Sequence, residues 1–270
     1  MTTLARLADR TVIRLRGDES RSFLQGLVTQ EMENEDVENG GGAIFAALLT
    51  PQGKILFDFF LFPQSDGYLL DCHRDRAEDL VKRLKLYRLR AKIDIDIDDT
   101  LAVHASAQQI ARDNAFEDPR LAVLGWRWIG PADEDAQEDA GAYHQRRTAL
   151  GVPECGADFD PESVFLTDVN YDALNGVSYS KGCFVGQEVT SRMKRKGQIR
   201  RRVYSAAYDG EDPAKDTPVT VDGSKVGEII AAREGHALAL VRVDRLEKSA
   251  GPTTAEDVTI SLNPPAYLNA

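Results

Sequence analysis

The segment KGCFVGQE at residues 181–188 sets one cysteine, Cys183, between two glycines and directly ahead of QEVTSRMKRK, a stretch of helix-forming residues. A thiol near a helix start and two residues from Lys181 is favoured as the thiolate, because the helix dipole and the ammonium both stabilise negative charge. Such a thiol can serve as a nucleophile, a metal ligand or a redox sensor. The same residues also read as a half-buried cysteine in a tight turn, with glycines for close packing and with Gln187 and Glu188 in the first turn of a helix. Behind the cysteine, residues 192–202 carry seven Lys and Arg and no acid. So dense a positive run exceeds what solvation requires and predicts a surface for an acidic tail, a phosphate or RNA.

A second chemical signal is Asp58, the only charge inside ILFDFF at 55–60. It reads either as the polar face of a half-exposed strand or as a carboxylate turned into a pocket, where burial raises its pKa unless a partner offsets it. The other cysteines, Cys72 and Cys155, read as small buried hydrophobes. Three cysteines with no C-x-x-C spacing fit a reducing compartment, and four scattered histidines do not form a zinc pattern.

These residues need a scaffold. TVIRLRG at 11–17 alternates as a strand, and Asp18 is positioned to cap a short helix carrying Phe23, Leu24, Leu27 and Val28. AIFAALLT and KILFDFFLF flank Pro51-Gln52-Gly53, which is hairpin chemistry. YLLDC at 68–72 reads as strand, residues 74–90 as helix with Leu80, Leu84 and Tyr87 on one side, and KIDIDID as strand again. AYHQRRTALG reads as a helix stopped by Gly151 and Pro153, and the acidic stretches 31–42 and 130–140 read as loops. Beyond residue 199 only short strands spaced by Gly, Pro, Asp and Ser remain, the pattern of a small β-barrel or sandwich. The expectation is an α+β chain in two units, 1–199 and 200–270.

With 42% hydrophobic and 29% charged residues, the composition is that of an ordinary globular protein. No apolar run reaches membrane-spanning length, and the first twenty residues lack a leader pattern, so the expected location is the cytoplasm. A formal net charge of −11 argues against general binding to DNA or anionic membranes and leaves the run 192–202 as a local exception.

KGCFVGQE resembles the K-G-C-aromatic-aliphatic-G-Q-E signature of the YgfZ family, folate-binding proteins of iron-sulfur cluster assembly and repair related to the glycine-cleavage T-protein. The order of FLQGLVTQEM at 23–32, FAALLTPQGKILFDFFLF at 45–62, Gly-Val-Pro at 151–153, PES at 161–163 and R-x-K-x-x-G at 192–197 is similar as well. The resemblance implies a T-protein-like fold: a folate-binding α+β portion followed by a C-terminal β-barrel. It implies tetrahydrofolate or a derivative as cofactor, with iron-sulfur assembly proteins or client enzymes, tRNA-thiolating ones included, as partners. It marks Cys183 as the functional thiol, either a reactive thiolate or a transient cluster ligand, and Lys181, Gln187, Glu188 and Arg192 as cofactor-binding residues beside it. Asp58 takes the place of the acidic pair at the reacting centre, Tyr143 that of an aromatic lining the pterin pocket, and Arg10 stands where the family has a second stacking aromatic.

Three functions follow as expectations. The first is a folate-binding accessory factor for iron-sulfur assembly acting through Cys183. The second is an aminomethyl or methyl transferase of the T-protein type, for which Asp58 is the single available carboxylate. The third is an RNA-binding module on the basic run, against which stands the lack of aromatics between 189 and 203.

Overall fold

The computed structural model describes residues 4–32, 42–132, 140–197 and 199–269. Most of each acidic loop expected at 31–42 and 130–140 lies outside the described residues. Short β1 (Ala5–Arg6) precedes β2 (Arg10–Arg16), the alternating strand. The helix after it, α1 (Ser20–Gln25), starts later than Asp18 predicts and lacks a side-chain cap. Leu27 and Val28 therefore fall beyond it, Leu27 in the turn that follows and Val28 bridged to Leu48.

The expected hairpin is β3 (Ile44–Leu49) and β4 (Ile55–Gln64), turning through Gly53 at φ +80°. Next come β5 (Gly67–His73), α2 (Ala77–Arg88) and β6 (Asp94–Ile97). These strands build an antiparallel sheet in the order β3-β4-β5-β2-β6. β4 is apolar on both faces because both are covered. Phe57, Phe59 and Leu61 face α1 and α2 with Leu24, Leu80 and Leu84, whereas Phe60 and Phe62 face a second layer with Val103, Ile129 and Tyr143. Each such side chain contributes about 1.5–3 kcal/mol on full burial. Asp58 has the parity of Phe60 and so points between the layers.

The second layer is a sheet of β7 (Leu101–Ser106), β8 (Ala115–Glu117) and β9 (Trp126–Pro131), ordered β1-β7-β9-β8. It is followed by α3 (Ala140–Ala149). Residues 152–186 contain neither helix nor strand, yet they bury Val164, Leu166, Val169, Tyr171 and Leu174 in the same core. Backbone bonds between Ile55 and both Glu162 and Val164 hold them there. The segment ends in α4 (Gln187–Lys196).

The C-terminal strands β10 (Arg201–Tyr208), β11 (Pro218–Val221), β12 (Ser224–Arg233) and β13 (His236–Arg242) precede α5 (Val243–Leu246), and β14 (Thr253–Ala255) and β15 (Val258–Asn263) follow it. They close a six-stranded barrel with Val219, Ile229, Ala239 and Val241 inside. The barrel's outer residues Val203, Ile230, Leu238 and Leu240 join the interlayer core, which docks the barrel onto α3. Among the described residues, no helix is long and apolar enough to cross a membrane.

Candidate functional site: the cysteine loop and the charged interior

Cys183 is exposed, while Cys72 and Cys155 are buried. Burial pushes the Cys72 thiol up to about 12 and the Cys155 thiol well above its ordinary value, so both are held protonated and inert. The loop carrying Cys183 is fixed on either side. Lys181 is only 5% exposed, and its Nζ donates to the carbonyls of Gln25 at 2.8 Å, Val28 at 2.7 Å and Gln30 at 2.9 Å. Phe184 is buried at 8% exposure. Gly186, at φ +82°, lies so close to β3 that an added Cβ would sit 2.8 Å from the Thr50 carbonyl oxygen. Gln187 Nε2 donates back to the Gly182 carbonyl at 3.2 Å. Space around Gly182 is open, and Cys183 beside it is exposed.

Two sequence expectations change here. Lys181 is no ligand for a cofactor, because its donors converge on the 25–30 turn. Among the described side chains, the cations of 192–202 do not form one patch either. Arg202 makes a bidentate pair with Asp172 at 2.5 and 2.9 Å, Arg201 approaches Asp168 at 3.9 Å, and Lys194 lies 3.9 Å from the ring centre of Tyr179. Arg192 and Arg195 remain exposed beside Gln187, Glu188 and Ser191, lining one open groove on α4.

The interior tells a different story from the pocket that the resemblance implies. Asp58 is 4% exposed; its Oδ2 accepts the Cys155 backbone N–H at 2.9 Å and the Tyr171 hydroxyl, while Oδ1 has no partner among the described residues. Burial raises its pKa, against the opposing pull of Arg10 and of those two hydrogen bonds. The cavity it borders, with Cys72, His73, Arg76 and Cys155, measures about 10 Å³. Cys72 and His73 both reach this cavity at the end of β5.

Tyr143 is 1% exposed and bound into an ionic network. Its hydroxyl donates to Glu154 Oε1 at 2.6 Å and accepts from Arg127 at 2.6 Å and Arg120 at 2.8 Å. Arg10 and Arg127 each meet Asp71 at 2.6 Å, Arg120 meets Asp118 and Glu154 at 2.8 Å, and Arg147 meets Asp158 at 2.5 Å. Burial pushes the Tyr143 phenol up to about 12. Burial opposes ionisation of Glu154 too, but Arg147, Arg120, Arg10 and Arg127 outweigh it and hold this carboxyl well below the usual range. Removing one partner from such a buried set costs about 3–5 kcal/mol.

Tetrahydrofolate does not fit this arrangement. A ligand of that size needs a cavity of about 300 Å³ or more, whereas the one beside Asp58 holds roughly a single water-sized group. Tyr143 is buried, and its hydroxyl is consumed by Glu154, Arg120 and Arg127. Arg10 is likewise spent on Asp71. Sequence reasoning missed Asp71, Arg120, Arg127 and Glu154. Asp71 carried the same signal as Asp58, a lone carboxylate in an apolar strand, and Arg127 stands between two tryptophans in WRW. Among the described residues, no group of three or more His, Cys, Asp and Glu could hold a metal ion.

The family model for the CAF17 C-terminal beta-barrel domain matches residues 200–270. The chain is 30% identical to the human mitochondrial iron-sulfur cluster assembly factor IBA57, an alignment covering 95% of this chain and 82% of the relative. Against the mouse protein of the same name the figures are 28%, 96% and 83%. Among solved structures, the aminomethyltransferase T of the Bartonella henselae glycine cleavage system superposes with a TM-score of 0.72 at 12% identity, covering 98% of this chain and 86% of that one. That likeness establishes the T-protein-like fold expected from sequence. Identity sustained from the α+β layers through the closed barrel carries the classification further: the chain belongs to the IBA57 family of iron-sulfur cluster assembly factors.

Proposed function

We propose that this protein assists the building or repair of iron-sulfur clusters in client enzymes, tRNA-modifying ones among them, with Cys183 as its working thiol. The observation that carries this reading is the contrast among the three cysteines: two are buried with raised pKa values, and the third stands exposed on a loop anchored at both ends. A thiolate is a soft ligand suited to iron-sulfur cargo, and a cluster takes about four such ligands. Cys183 therefore supplies one, and a partner protein supplies the others. Exposed Arg192 and Arg195, one and two turns along α4, favour a partner that is acidic at its rim. No folate step enters this account.

The transferase alternative rests on Asp58, whose Oδ2 is already occupied and whose cavity of about 10 Å³ leaves no room for a folate and its one-carbon donor. Cells lacking the protein, supplied with either the parent chain or Cys183→Ser, test the proposal. Client iron-sulfur enzyme activities restored by the parent and not by the variant support it, and equal restoration by both rejects it.

A further inference from the structure

We propose that Lys181 is a positioning residue that pins the Cys183 loop to the turn at residues 25–30 and so sets where the thiol stands. The inference deepens the reading of Cys183 as the working thiol and rests on that reading for its functional meaning. An ammonium has three donors and no acceptor. In Lys181 three donor contacts of 2.7–2.9 Å reach three carbonyls of one turn, more than 150 residues earlier in the chain, at a side chain 5% exposed. The same two segments are stitched together beside it. Thr29 Oγ1 donates to the Gly176 carbonyl at 2.6 Å, the Ser178 N–H donates to the Thr29 carbonyl at 3.0 Å, and Gln30 Nε2 donates to the Asn175 carbonyl at 2.6 Å.

The consequence for Cys183 is geometric. It stands between two buried side chains, Lys181 before it and Phe184 after it, and the chain is fixed again at Gly186 against β3. Gly182, with open space around it, is the one conformationally permissive link between the lysine and the cysteine. Loss of the ammonium leaves three carbonyls short of a donor and removes the pin on the N-terminal side of the thiol. Arginine cannot substitute, because its planar fork spreads its donors and does not converge on three acceptors around one nitrogen.

A nitroxide attached to Cys183, the exposed thiol among three, reads this directly in the full chain. The parent protein gives a restricted label. Lys181→Met and Lys181→Arg give a label whose rotational correlation time shortens by about threefold or more. Val241→Ala, a truncation in the barrel core, lowers stability away from the loop and leaves the spectrum unchanged. A folded Lys181→Met chain with the parent spectrum overturns the proposal; if that variant does not fold, a folded Lys181→Arg chain with the parent spectrum overturns it equally. Label motion is independent of iron, so this result and the client-activity result for Cys183→Ser fail separately.

Discussion

The Tyr143 hydroxyl lies 2.6 Å from Glu154 Oε1 and 2.6 Å from Arg127 Nη1, tying α3 to the segment after it and to the second sheet. Tyr143→Phe removes one donor and one double acceptor from a fully buried set. The expected loss is about 1–3 kcal/mol, read as a lower urea midpoint with an unchanged slope. A midpoint equal to that of the parent would contradict the network's structural role.

The closed interior also predicts how the chain meets tetrahydrofolate. Calorimetric titration should give no saturable heat that depends on Asp58, because the cavity beside it measures about 10 Å³, and any rise in melting temperature with added cofactor should be the same in the parent and in Asp58→Asn. Saturable binding abolished by Asp58→Asn would place folate inside after all.

Asp58 carries a stability signature of its own. Its folded pKa is raised, so its ionised form is disfavoured by folding: the penalty is absent below the ordinary aspartate range and grows as pH rises through the elevated value. In Asp58→Asn the amide oxygen keeps the acceptor role toward Cys155 and Tyr171, and the NH₂ takes the side that had no partner. The variant should therefore exceed the parent in urea midpoint near about pH 8, with the gain shrinking toward about pH 4. Glu154, whose depressed pKa works in the opposite sense, titrates in both chains and cancels in the difference. A gain that is independent of pH would contradict the assignment.

Gly186 allows no side chain. At φ +82°, an alanine Cβ would meet the Thr50 carbonyl oxygen at 2.8 Å and the Leu49 Cβ at 3.0 Å. Gly186→Ala should cost about 1–3 kcal/mol of backbone strain. It should speed proteolysis of the 178–188 loop relative to Gly197→Ala, which has a similar φ and open surroundings. Equal cleavage in the two variants would count against a tightly seated loop.

What the sequence reveals here follows from how local the cause is. The hairpin through Pro51 and Gly53 is legible because turn residues bracket two apolar runs, and α4 because its residues favour a helix and Gly197 stops it at φ +66°. Residues 152–186 have no periodicity to read, since their burial depends on partners such as Ile55, about a hundred positions away. At the site, the adjacency of Lys181 and Cys183 is plain in KGC, and it suggests an ammonium acting on the thiol. The carbonyls that engage that ammonium come from residues 25–30, which no spacing argument brings near. Tyr143 fails as a pocket residue for the same reason: its role is set by Arg120, Arg127 and Glu154, which arrive on separate segments.

The exposed side chain of Cys183 lets Cys183→Ser fold with a stability within about 0.5 kcal/mol of the parent. The most direct measurement is the activity of iron-sulfur client enzymes in cells whose only copy of this protein is the Cys183→Ser chain, expressed at the parent level. These activities should be as low as in cells without the protein. Activities equal to those supported by the parent chain would contradict the role of Cys183 as the working thiol.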